Sequence, residues 1–177
     1  GFTSTVGIIH DGDGQLRPEL EAKARSIAPD CIFLGQQPQQ VIRDWMARSS
    51  VLCVPCVTAE NGVSEAFGLV FIEAQAMGIP VVSFASGGIA EAVADGVTGY
   101  LIREKDVHGL ADSITRLLLE PMLWNRFSHA GIARIRSKFD LNVQSGELER
   151  LYEQVLGNHS KRHSMPSCAT AVDTISA

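Results

Sequence analysis

The chain has 177 residues, 45% hydrophobic and 20% charged, with a formal net charge of −5, enough apolar material for one domain with a real core. The acidic balance argues against a nucleic-acid partner, and no apolar run approaches the roughly 18 residues a membrane span needs. Four cysteines in a chain of this length do not make a disulfide scaffold, so reduced thiols and a cytoplasmic setting are expected.

The N-terminal stretch GFTSTVGIIHDGDG carries neither the basic n-region nor the cleavage site of a signal peptide. Within it, TVGIIH (Thr5–His10) is a β-branched run ending at the turn signal Asp11-Gly12-Asp13-Gly14, and predicts a buried strand. Leu16, Leu20, Ala24 and Ile27 recur at helical spacing and predict a helix over Leu16–Ile27. CIFLG (Cys31–Gly35) follows as a strand and Val41–Ala47 as a helix. SVLCVP (Ser50–Pro55) reads as a strand stopped by a proline, which cannot donate to a central ladder.

The polar loop VTAENGVSEAF then leads into a helix that starts near Phe67 or Gly68 and ends at Gly78, with Pro80 shortly beyond. IPVVSF (Ile79–Phe84) is a continuous apolar strand followed by the glycine loop ASGGIAEAV, and Thr98–Ile102 is a last short strand. After it come helices only: Val107–Leu119, Pro121–Lys138 and Asn142–Leu156. Residues 157–177 lack periodicity and are expected to form a disordered tail after a domain spanning 1–156. There is no internal repeat.

Strands apolar on both faces that alternate with helices predict an α/β fold: a Rossmann-like parallel sheet with helices on both faces and a helical C-terminal region. Ligands of such sheets bind beyond the carboxyl ends of the strands. The loops after His10, Gly35, Pro55 and Phe84 are therefore the candidate sites, and beyond Pro55 lies SEAFGLVFIE (Ser64–Glu73), two carboxylates flanking seven mostly apolar residues.

With the helix starting near Gly68, its first N–H groups form a ready phosphate site that glycine leaves open. Glu65 and Glu73 would then stand roughly 10 Å or more apart. That is at or beyond the upper end of the spacing of hydrolytic carboxylate pairs, but it suits a ligand with a diphosphate at its centre and hydroxyl groups at both ends. The alternative from spacing alone is a solvated helix position at Glu73 and a helix-entry acid at Glu65.

The block VPCVTAENGVSEAFGLVFIEAQAMGIPVVSFASGGIAEAVADGVTGYLI resembles the C-terminal, nucleotide-sugar-binding half of the retaining GT-B glycosyltransferases of family 4, "glycosyl transferases group 1". GDGQLRPELEAKA, FLGQQP, DWMARSSVLCVP and EKDVHGLADSITRLL…RFSHAGIARIRSKFD match that family in order and spacing, from about Val6 to Leu156. Within it, the chain is similar to bacterial exopolysaccharide and lipopolysaccharide enzymes.

The resemblance implies that Glu65 meets the donor sugar's hydroxyls and is the catalytic candidate. It implies that Glu73 binds the nucleotide ribose, and that backbone amides around Phe67, Gly68, Leu69 and Val70 approach the sugar and diphosphate. The base would lie against Gln36 and Gln37. The donor would be a UDP- or GDP-sugar, with no separate cofactor and no metal.

By the same resemblance, the chain lacks the family's first strand, the loop that supplies an arginine and a lysine to the diphosphate, and the N-terminal acceptor-binding domain, so the isolated chain is expected to be inactive. Lipid-linked acceptors of similar enzymes imply peripheral contact with the inner membrane face. Readings from other classes are a nucleotide-sugar epimerase of the same fold and a non-catalytic nucleotide-binding module.

Other features have plainer readings. Cys53-Val54-Pro55-Cys56 has C-x-x-C spacing, but Cys53 lies in a strand rather than at a helix start, which favours a core and a loop cysteine. Asp11 and Asp13 read as turn residues, and His159 with His163 as tail residues rather than zinc ligands. Gly87-Gly88 is a candidate ligand loop, Glu91 a solvated acid, and His10 a packing residue. Arg134, Arg136 and Lys138 form a basic stripe, read as a solvated helix face or a membrane-surface patch.

Overall fold

The computed structural model describes residues 8–163. The chain forms two compact units, Gly1–Ile132 and Ala133–Ala177.

In the first unit the elements are β1 (Ile9–Asp11), α1 (Arg17–Ile27), β2 (Ile32–Gly35), α2 (Gln39–Met46), β3 (Leu52–Cys53), α3 (Leu69–Ala76), β4 (Val81–Phe84), α4 (Ile89–Ala92), β5 (Gly99–Ile102) and α5 (Val107–Leu119). Helix α6 (Pro121–Lys138) spans the division, and α7 (Leu141–His163) lies in the second unit. The fold is α/β, with every strand pairing parallel.

Two sheets form: β1 pairs with β2, and β3-β4-β5 lie in that order. Among the described residues, β1 has no strand on its side away from β2, and β3 has none on its side away from β4.

β4 organises the core because all four of its residues are buried. Side chains alternate across a strand. Val81 accordingly packs with Met46, Phe71, Ala74, Ile79 and Ile89, whereas Val82 packs with Leu117, Leu123 and Phe127. Helices α2, α3 and α4 thus cover one face, and α5 with the start of α6 covers the other, as expected for a continuous apolar strand. Tyr100 adds an edge-on ring contact with Phe127, centroids 5.1 Å apart.

Helix ends follow local chemistry. Asp106 caps α5 by accepting from the Gly109 amide at 2.9 Å. α3 ends in a Schellman arrangement: Gly78 adopts φ 75°, its amide donates to Gln75 O at 3.0 Å, and the Ile79 amide donates to Ala74 O at 2.9 Å.

Several boundaries differ from expectation. β3 keeps only Leu52–Cys53 of the predicted Ser50–Pro55, because it has a neighbour on one side only and Pro55 has no N–H to donate. β1 reaches Asp11, one residue beyond His10; the predicted start at Thr5 lies outside the described residues. α7 continues past Leu156 to His163, into a stretch expected to be disordered; residues 164–177 lie outside those described. No described helix is long and apolar enough to cross a membrane.

Candidate functional site

The carboxyl ends of β3, β4 and β5 open into the loops 54–68, 85–88 and 103–106. The first two are in intimate contact. The Gly88 amide donates to the Glu65 carbonyl at 2.9 Å. A methyl group at Gly87 would run into that carbonyl oxygen, and one at Gly88 into the carbonyl oxygen of Ala66. Glycine is needed here because two backbones touch, and Gly87 also sits at φ 53°.

The contact fixes the approach to α3. Gly68 precedes the helix with φ 73° and ψ 79°, and as N-cap it offers no side chain. Its carbonyl accepts from the Phe71 amide at 3.0 Å. Three residues before Gly68, the half-buried Glu65 turns its carboxylate onto the Phe67 amide, with Oε1 at 3.3 Å. The carboxylate thus lies beside a helix start whose leading amides have no intrahelical acceptor. Such an end favours negative charge.

The side chains of α3 separate by function. Phe71, Ala74 and Gln75 are buried, and Phe67 and Val70 pack against the core. Leu69, 70% exposed, and Glu73, also exposed, lie four residues apart and share the open face. The exposed Glu73 carboxylate is accessible to hydroxyl donors, which it can accept on both oxygens.

Gln36 and Gln37 follow β2, on the other sheet. Gln36 is exposed, and Gln37 closes its own turn by donating from Nε2 to Leu34 O at 2.6 Å. Nearby, Arg17 binds Glu21 at 2.7 Å and Asp13 at 3.2 Å. Among the described residues, no group of three or more His, Cys, Asp or Glu has metal-site geometry.

The two C-x-x-C thiols are poor nucleophiles. Cys53 exposes part of its surface, yet burial of the thiol pushes its pKa up to about 11. Burial raises Cys56 too, helped by the charge of Glu65 nearby. A redox pair needs the opposite shift.

Sequence reasoning missed one cluster. Glu104 accepts from the Thr58 hydroxyl at 2.6 Å and the Thr58 amide at 3.2 Å, and Thr58 Oγ1 lies 3.2 Å from Ser86 Oγ. These donors hold the Glu104 carboxylate below its ordinary pKa, the Thr58 hydroxyl most strongly and the Ser86 hydroxyl next. No local pattern announces a pair 46 residues apart.

Comparison with known proteins bears on this geometry. A family model described as "Glycosyl transferases group 1" matches residues 5–134. The chain is 41% identical over 113 residues to the D-inositol 3-phosphate glycosyltransferase of Kribbella flavida, covering 62% of this chain and 25% of that protein. It is 40% identical over 173 residues to the enzyme of the same name from Frankia alni, covering 95% of this chain and 39% of that one.

Among solved structures, Anabaena HepE in complex with UDP is similar with a TM-score of 0.71 and 26% identity, over 84% of this chain and 41% of that one. Its complex with UDP-glucose gives a TM-score of 0.70, also at 26% identity, over 83% and 41%. The chain therefore spans well under half the length of these relatives.

Proposed function

Because the chain belongs to the group 1 glycosyl transferases, we propose that it is the donor-binding, C-terminal half of a retaining GT-B enzyme, one that transfers a hexosyl unit from a nucleotide diphosphate sugar to a glycan or lipid-linked acceptor. The arrangement around Gly68 carries this reading. Loop 85–88 presses on Ser64–Ala66, and the Glu65 carboxylate lies beside the start of α3, where Gly68 brings no side chain of its own.

In this reading the amides of Gly68, Leu69 and Val70 receive the diphosphate. Glu65 accepts from the sugar hydroxyls, and Glu73 from the ribose on the open face of α3. Gln36 and Gln37 border the base. The helix start would stabilise the departing diphosphate as the glycosidic bond breaks. HepE's complexes with UDP and UDP-glucose favour uracil as the first base to test. The curated relatives compared above are named glycosyltransferases, so the epimerase reading is not carried forward.

The edges of β1 and β3 that have no partner strand among the described residues support a further element of this reading. A doubly wound sheet runs 3-2-1-4-5-6. The order β2-β1, then β3-β4-β5, fits that sequence with one parallel strand inserted between β1 and β3. That strand, an arginine and lysine for the diphosphate, and the acceptor-binding domain would come from polypeptide outside this sequence. Membrane contact and a role in bacterial surface polysaccharide synthesis belong to the same proposal.

The test is calorimetric titration of the 177-residue chain with UDP, GDP, ADP and UDP-glucose. One diphosphate should bind at millimolar concentration or below. Glu65→Ala should weaken UDP-glucose by about tenfold while sparing UDP, since it removes charge-assisted bonds to the sugar alone. Glu73→Ala should weaken both. A folded chain that binds none of the nucleotides at several millimolar overturns the proposal.

A further inference from the structure

Loops from three strands converge on one carboxylate. Glu104 lies two residues past β5 and takes both donors of Thr58, the hydroxyl at 2.6 Å and the amide at 3.2 Å. An ionised carboxylate only accepts, so the Thr58 hydrogen points at Glu104. The Ser86 hydroxyl, 3.2 Å from Thr58 Oγ1, must then supply its own hydrogen to the cluster. Ser86 is 3% exposed, and directly before Gly87-Gly88 it leads into the backbone contact with Ser64–Ala66. A continuous path thus runs from Glu104 through Thr58 and Ser86 to the Glu65 carbonyl.

Two further observations single out this carboxylate. Loop 54–68 is long and exposes every residue from Val57 to Val63. Its own hydrogen bonds in that stretch are local: the Ala59 amide to Val63 O, the Gly62 amide to Ala59 O, and the Val63 amide to the Asn61 side chain. Among the described residues, the Thr58 contacts are the hydrogen bonds that tie this stretch to the rest of the sheet. In addition, Lys105, immediately after Glu104, is the one described non-glycine residue with positive φ, at 67°. A side-chain-bearing residue in that region marks a turn held by its surroundings.

We infer that Glu104 is a positioning residue for the donor site, clasping loop 54–68 so that the Glu65 carboxylate stays beside the start of α3. Glu104 itself touches no donor atom in this scheme. Its two acceptor oxygens hold Thr58, and the chain from Thr58 to Phe67 inherits a fixed origin. The inference rests on the donor-binding reading for its purpose, but the clasp is measurable without any nucleotide.

The experiment compares the 177-residue chain with Glu104→Ala, Glu104→Gln, Thr58→Val and Thr58→Ser, first by amide hydrogen exchange in nucleotide-free protein. Glu104→Ala and Thr58→Val should accelerate exchange of amides 57–67 by about tenfold. Glu104→Gln, which keeps one acceptor, should fall between Glu104→Ala and wild type. Thr58→Ser, which keeps the hydroxyl, should match wild type.

Exchange in β4 and the urea midpoint should not move, because the opening is local. Calorimetry with UDP-glucose should show a loss of roughly three- to tenfold in Glu104→Ala. Unchanged loop exchange in Glu104→Ala, damage by Thr58→Ser equal to that by Thr58→Val, or a fall in global stability matching the local change would each overturn the clasp. If no variant binds nucleotide but the loop loosens as described, the donor-binding reading fails and the clasp stands.

Discussion

The two sheets of the first unit carry similar sequence patterns but are stabilised very differently. β3-β4-β5 is covered on both faces: β4 is fully buried, and Phe71, Ile89, Leu117 and Phe127 are at most 1% exposed. The β1-β2 sheet has α1 beside it in sequence, yet α1 buries none of its residues. Leu16 and Ile27 stand 65% and 72% exposed. Apolar periodicity signals a face that wants cover, and only one of these two regions supplies it from within the described chain. The candidate donor site is built on the covered sheet, where a rigid base can hold loops in register.

Core substitution should expose this difference most strongly. Phe71 is fully buried on α3, so Phe71→Ala removes a large side chain and leaves a cavity, costing about 3–5 kcal/mol. Urea unfolding measures it as a lowered midpoint. A loss under about 1 kcal/mol would mean that this core is as loosely held as the α1 face.

Gly88→Ala comes next. Its methyl group meets the Ala66 carbonyl oxygen, so one loop must move away from the other, at about 1–3 kcal/mol. Loss of UDP-glucose binding should exceed what that destabilisation explains, because the shift displaces Glu65. Wild-type affinity in Gly88→Ala would show that the loop contact does not govern the site.

What the sequence makes legible follows the same divide. α5 and α6 cover the spans expected of them, Val107–Leu119 and Pro121–Lys138, and β4 fills most of IPVVSF because a run apolar on both faces has few alternatives. Gly78 was readable as a helix stop since its left-handed turn is local chemistry. The SEAFG…E block could be found by resemblance, but spacing alone left Glu73 open, and the structure puts it on an exposed face. Thr58, Ser86 and Glu104 were not legible. Their bonds join loops separated by a whole strand and helix, and nothing in Arg103-Glu104-Lys105-Asp106 distinguishes a clasp from an ordinary charged loop. The shortening of β3 was hidden for a related reason, since a strand's length depends on its neighbours as well as on its own residues.

The smallest expected effect is also the one that best sharpens the comparison. Ile27 ends α1, and Ile27→Lys would replace an exposed apolar side chain with a cation at the helix's negative end. In this chain the change should stay within about 0.5 kcal/mol of wild type, measured by urea midpoint. A cost above about 1 kcal/mol would mean that the α1 face is covered in solution, by a second copy of the chain for instance, and dilution would then lower the midpoint further.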